Sequence, residues 1–186
     1  MHTHRLKHIW ICRHPPTQSA GLCVGQHPVP ISIPWEQARD KVLQQTPIQP
    51  TEIWTSDLPR CQELAMLCAS QWRLPVQTSV DLREISMGSW QGQRYDDLLN
   101  NDPERWNQWC EDWKNTIPPN GENLQMLQTR VQNWLDQTSF SKNPVLIAHA
   151  GVVRTLRVIG GQRWEQAMAT PVPHLQWERI GVYDEQ

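Results

Sequence analysis

Two short apolar runs that each end in a histidine constrain this chain more than any other feature. Residues 9–12 read IWIC and are followed by Arg13-His14; residues 144–148 read PVLIA and are followed by His149. Runs of four or five apolar residues bounded by Pro or Gly read as buried strands, because a helix needs a longer periodic stretch. Strands apolar on both faces belong to a mostly parallel sheet covered by helices on either side. The rest of the chain supplies those helices. Pro15 and Pro16 forbid a helix directly after the first strand, and 17–34, with Gly21, Gly25, Pro28, Pro30 and Pro34, reads as a long functional loop. A helix is expected over 35–45, a strand over 52–55, a helix over 57–71 capped by Asp57, and a weak strand over 76–80. Irregular structure follows over 82–92, then one or two helices over 95–113, restarted at Asp102-Pro103. Residues 123–137 form a strongly amphipathic helix, 151–159 a helix launched from His149, and 174–182 a last strand. This alternation predicts a three-layer α/β/α sandwich with a mostly parallel central sheet, one domain over residues 1–186. Ligands of such sheets bind beyond the carboxyl ends of the strands, where Arg13, His14 and His149 fall.

Composition narrows the partner. With 17 Lys and Arg against 19 Asp and Glu, the chain has no basic field for nucleic acid and no polybasic segment for a membrane. A local cluster of cations can still bind a small anionic ligand, and the pattern of charged strand-end residues taken up next makes a small-molecule phosphate monoester the expected partner. No apolar run reaches membrane-spanning length, and the first residues read as a strand rather than a signal peptide. The five cysteines form no C-x-x-C pair, so buried free thiols in a cytoplasmic protein are expected, with no disulfide framework. No metal site or cofactor is expected; His2, His4 and His8 crowd the terminus only. The oligomeric state is left open. Of eleven tryptophans, Trp106, Trp109 and Trp113 follow at helical spacing. Core or cap packing is the first reading, and an aromatic wall beside a substrate the second.

Arg13, His14, Arg60, Glu84 and His149 each stand at a strand-to-loop position in four separated segments. Hydrolysis of a phosphate monoester needs its nonbridging oxygens held, a nucleophile in line and a proton for the leaving oxygen. Arg13 and Arg60 suit the first task, since guanidinium is permanently charged and offers paired donors. An amide at the start of the helix after His149, Ala150 or Gly151, adds a donor. Nearby guanidinium charge lowers an imidazole's pKa and keeps it a nucleophile. His14 is the better nucleophile candidate and His149 the second imidazole, although the pattern alone allows the two roles to be exchanged. Glu84 is the candidate general acid, then base.

The blocks RHPPT, TSDLPRCQELA, LREISMGSWQG, PPNGENLQML and LIAHAGVVR, spread over residues 12–154, together resemble the histidine phosphatase superfamily. The resemblance implies the phosphoglycerate mutase-like fold, a phosphohistidine at His14, phosphate binding by Arg13, His14, Arg60, His149 and Ala150, and proton transfer by Glu84. Three positions depart from the family pattern: Pro15 in place of Gly, Ala20 in place of Asn, and Ala150 in place of Gly. RHP followed by GLCVG resembles the α-ribazole phosphatases, which act in cobalamin synthesis, with Val24, Gln26 and His27 differing. Gly21, Leu22, Cys23, Gly25 and Gln26 then form the substrate loop. Broad-specificity or sugar-phosphate hydrolysis, mutase activity, and a catalytically silent phosphate-binding protein are the competing expectations. The short chain favours hydrolysis over a mutase. Trp90 is expected to buttress the Glu84 loop, and Glu122 to serve as a helix N-terminal carboxylate.

Overall fold

The computed structural model describes residues 5–184. Its elements run β1 (Arg5–Arg13), α1 (Trp35–Gln44), β2 (Glu52–Ser56), α2 (Pro59–Trp72), β3 (Val76–Ser79), α3 (Tyr95–Asn101), α4 (Pro103–Glu111), α5 (Leu124–Gln137), β4 (Pro144–Ala148), α6 (Ala150–Ile159), α7 (Trp164–Ala169) and β5 (Trp177–Asp184). The sheet order is β3-β2-β4-β1-β5. β1, β2, β3 and β4 are parallel to their neighbours, and β5 joins the edge antiparallel to β1.

Side chains of a strand alternate between faces, and the two main apolar clusters follow that alternation. Ile9, Ile11, Leu146 and Ala148 face one side and pack with Leu127, Val131 and Leu135 of α5 and Val153 and Leu156 of α6. Cys12, Val145 and Ile147 face the other and pack with Ala38 and Val42 of α1 and Leu64 and Ala65 of α2. The expected three layers are therefore present, with β4 buried along its whole length. Among the described residues no helix is long and apolar enough to cross a membrane.

The differences from the sequence reading have local causes. β1 extends back to Arg5 because β5 pairs with it over residues 5–12, and main-chain pairing does not require the apolar side chains that stop at Lys7 and His8. Asp57 does not cap α2; its carboxylate takes the Nε–H of Arg83 at 2.7 Å, and the helix begins after Leu58. The Ser56 hydroxyl accepts the Leu58 amide instead. α4 stops at Glu111, so Trp113 lies beyond the helix that carries Trp106 and Trp109. β5 starts at Trp177, and the residues just before it form a loop that reaches back to the end of β1. α7 was not foreseen; its six residues are too few for a periodic signal.

Leu146 lies at the centre of the sheet and is fully buried. Leu146→Ala is expected to cost about 2–5 kcal/mol of stability, measured as a lower urea midpoint with unchanged slope.

Candidate active site

Parallel pairing of β1 and β4 sets Arg13 opposite Ala148, so the histidines that follow both strands emerge side by side. The His14 amide donates to the Ala148 carbonyl at 3.0 Å, and the two imidazole centroids lie 5.2 Å apart. His14 Nδ1 is 2.6 Å from the Pro15 carbonyl. A carbonyl only accepts, so Nδ1 carries the proton and the neutral ring presents its lone pair at Nε2. Pro15 replaces the family's Gly without loss here, because the contact uses its carbonyl. Burial holds His14 well below the usual imidazole range, and the charges of Arg60, Arg13 and His174 add to that.

His149 is fully buried, and its Nε2 faces the Ser56 hydroxyl at 3.0 Å and Cys61 Sγ at 3.3 Å. It is not among the residues that line the open cavity. Burial, His14 and the surrounding guanidiniums keep it neutral. Burial likewise pushes the Cys61 thiol well up, so it stays a neutral partner. A third imidazole, His174, was not anticipated. It donates from Nδ1 to the His14 carbonyl at 2.7 Å and meets the His14 ring edge-on at 5.3 Å. Next to it, Leu175 is buried at φ +58° while its amide bonds the Arg13 carbonyl. A left-handed Leu is strained and persists only where its surroundings fix it.

Three arginines line the same cavity as His14: Arg13 at the end of β1, Arg60 in the first turn of α2, and Arg154 on α6. Arg13 gives Nη1 to the Val172 carbonyl, and Arg60 gives Nη1 and Nη2 to the His27 and Gly25 carbonyls. The Nε of each of the three is buried with no hydrogen-bond partner among the described residues. Unpaired buried donors are rare, and three guanidiniums around one imidazole form a site for a multiply charged anion. Arg154 was not singled out from sequence. Its signal is helical spacing: it follows Gly151 by three residues and so shares its face.

Glu84 completes the charged end. Its carboxylate accepts the Ile85 amide at 2.9 Å and the Gly151 amide at 3.0 Å, so the amide expected to serve an anion at the start of α6 holds this side chain. Its backbone carbonyl accepts from Arg130 and from the Gln26 side chain. Arg130 also grips Glu122 at 2.8 and 3.0 Å, and Glu122 in turn accepts the Ser86 amide. Glu122 thus fastens the loop that carries Glu84, rather than acting on a helix dipole. Trp90, buried against Met87 and Cys23, packs beneath that loop as expected.

These features match a known family. The family model described as histidine phosphatase superfamily (branch 1) fits residues 9–186. The chain belongs to the histidine phosphatase superfamily. Among curated proteins it is 33% identical over 160 residues to the adenosylcobalamin/alpha-ribazole phosphatase of Escherichia coli K12, covering 82% of this chain and 79% of that one. The Salmonella typhimurium protein of the same name is 30% identical over 156 residues, covering 80% and 76%. Among solved structures, the alpha-ribazole phosphatase of Shigella flexneri superposes with a TM-score of 0.84 at 27% identity, covering 97% and 95%. Its class of reaction is accordingly phosphoester hydrolysis.

In this histidine phosphatase the loop after β1 is pinned at several points. Cys23 and Gly92 exchange backbone bonds with Gln93 and Cys23, and the Tyr95 amide bonds the Gly21 carbonyl. Gly25 has φ +50°, and a Cβ there would come within 2.5 Å of the Gln91 side chain, so glycine is required. Leu22, Cys23 and Gly25 line the cavity, joined by Thr17, Ser19 and Val24. Gly21 and Gln26 do not line it; Gln26 acts behind it on Glu84. The cavity measures about 620 Å³, and Tyr95, Trp106, Trp109, Trp113 and Trp164 are among the residues that line it. Trp106 and Trp109 are half-buried against the cluster of Trp90, Met87 and Leu98, and Trp113 against the main core, so these rings pack on the core and line the cavity at once. Among the described residues no three His, Cys, Asp or Glu side chains are grouped for a metal ion, and His2 and His4 lie outside the described residues.

Buried neutral histidines make stability pH-dependent. In the unfolded chain each imidazole titrates near about 6.5, whereas His14 and His149 are held well below that when folded. Between those values the unfolded chain binds more protons, so stability rises with pH and is lost on acidification. The urea midpoint is expected to fall steadily from pH 7 to pH 5, and His149→Gln to flatten part of that slope. A midpoint that rises on acidification would contradict the buried neutral pair.

Proposed function

We propose that the chain hydrolyses α-ribazole 5′-phosphate to α-ribazole and inorganic phosphate through a phosphohistidine at His14. The observation that carries the chemistry is the trio of buried, unpartnered guanidinium nitrogens beside an imidazole whose Nε2 lone pair is free. The names of the 33% and 30% identical relatives support the substrate. Free buried thiols at Cys12, Cys23, Cys61 and Cys68 favour a reducing, cytoplasmic setting.

Arg13, Arg60 and Arg154 hold the nonbridging oxygens, whose charge they neutralise as the phosphoryl group transfers. His14 Nε2 attacks phosphorus while the bond to the 5′ oxygen breaks. A carboxyl beside a phosphate dianion is driven towards its protonated form, and Glu84 gives that proton to the departing alkoxide. The resulting carboxylate takes a proton from water, whose oxygen attacks phosphorus and breaks the P–N bond. Phosphate leaves and Glu84 is again an acid. His149 and His174 act as positioning residues that fix the His14 ring.

His14→Ala is expected to abolish hydrolysis of p-nitrophenyl phosphate, and rapid quenching of the native enzyme to trap acid-labile, base-stable phosphate on His14. Full activity in the variant rejects the nucleophile assignment. A second variant isolates the acid. A Cβ on Gly151 would stand 2.0 Å from Glu84 Oε1 and meet no backbone as closely. Gly151→Ala therefore displaces a side-chain carboxyl while the fold persists. The expected result is a loss in kcat of roughly 10²-fold on an alkyl phosphate, a smaller loss on p-nitrophenyl phosphate, whose leaving group needs no proton, and a near-native melting temperature. Equal losses on both esters would remove Glu84 from the acid's role.

A further inference from the structure

The cavity's lining is of two chemical kinds. Its cations are Arg13, Arg60 and Arg154, each within the electrostatic reach of Glu84. The other kind is aromatic. Trp106 and Trp109 lie nearly parallel, 24° apart with centroids at 5.5 Å, and Trp90 is wedged edge-on behind both at 5.5 and 6.3 Å. Tyr95 extends the surface at 5.5 Å from Trp106. Trp90 is 2% exposed, and Trp106 and Trp109 are half-buried against it while lining the cavity. Two large rings backed by a buried third make a preformed stacking surface. A volume near 620 Å³ is that of a site for a whole small molecule.

We propose that this tryptophan wall is the specificity element of the enzyme, and that it stacks the planar heteroaromatic base of a phosphate ester whose phosphoryl group sits among the arginines. The inference rests on the α-ribazole reading and goes beyond it by assigning recognition of the base to Trp106 and Trp109. The occupant is bipolar: an anion at one end and a flat apolar ring system at the other. Among the described residues the cations that line the cavity are Arg13, Arg60 and Arg154, and Lys114, outside the lining, lies over the Trp113 ring. Stacking on aromatic side chains is tolerant of which base is presented, so the wall selects for the presence of a base, and the loop residues refine which one.

The test compares esters with the same leaving alcohol. α-Ribazole 5′-phosphate, adenosine 5′-monophosphate and ribose 5-phosphate all release a ribose C5′ oxygen, so differences in kcat/KM report the base. The native enzyme is expected to favour α-ribazole 5′-phosphate over ribose 5-phosphate by about tenfold or more. Trp109→Ala should bring that ratio close to one, and Trp109→Phe should keep most of it. If Trp109→Ala fails to fold, Trp106→Leu carries the same measurement. A ratio near one for both base-bearing esters in the native enzyme, or a ratio untouched by the variants, overturns the proposal. If the adenine ester alone is favoured, with the same dependence on Trp109, the wall stands and the α-ribazole assignment falls. If the α-ribazole ester is favoured but the ratio survives Trp109→Ala, the assignment stands and the wall falls.

Discussion

Neutral His14 in the midst of fixed positive charge is the condition on which the rest of the site depends. An imidazole left in water near neutrality would spend much of its time protonated and unable to attack. Here burial removes solvation from the charged form, and Arg60 and Arg13 oppose any added proton. In the proposed mechanism the same guanidiniums that hold the phosphoryl group therefore keep its attacker ready. The Pro15 carbonyl then decides which nitrogen is free. In that mechanism binding and activation come from one arrangement of charge, with no separate base needed to strip the nucleophile.

Around this centre, the sheet supplies position and the loops supply chemistry. Register between β1 and β4 brings two histidines from opposite ends of the sequence into contact. The Glu84 loop, which has little regular structure, is fixed by the ion pair of Arg130 and Glu122 and by Trp90. The pair is half-buried and hydrogen-bonded on both sides of the loop, so this brace governs where the carboxyl of Glu84 can stand. Arg60 has a double part: one edge bonds the carbonyls of Gly25 and His27, so the loop above the site is folded around the cation itself.

Much of this was legible in the sequence, because apolar runs with polar ends record both strand burial and the place where a strand delivers its next residue. The strands, the layers and the grouping of Arg13, His14, Arg60 and Glu84 follow from that rule. Other features leave no periodic trace. Asp57 reads as a cap by position, yet a distant Arg83 claims it. Arg154 and His174 look like ordinary helix and loop residues until tertiary structure brings them to the cavity or to His14. Glu122 reads as a helix-start carboxylate, and its partner Arg130 is visible only once α5 packs. The tryptophans show the limit most clearly, since spacing tells which rings share a face and not what that face meets. Trp113, beyond the end of α4, shares the cavity without sharing the helix.

The loop before β5 ties together residues about 160 positions apart in the sequence. Val172 holds Arg13, His174 holds the His14 carbonyl, and the Leu175 amide caps the Arg13 carbonyl. Contacts across about 160 residues are the slowest to close, since the whole intervening chain must be gathered first. During vectorial synthesis the arginine and histidine of β1 must wait for about 160 further residues before these supports exist. The frame that fixes the two residues is therefore incomplete until the loop before β5 has been made.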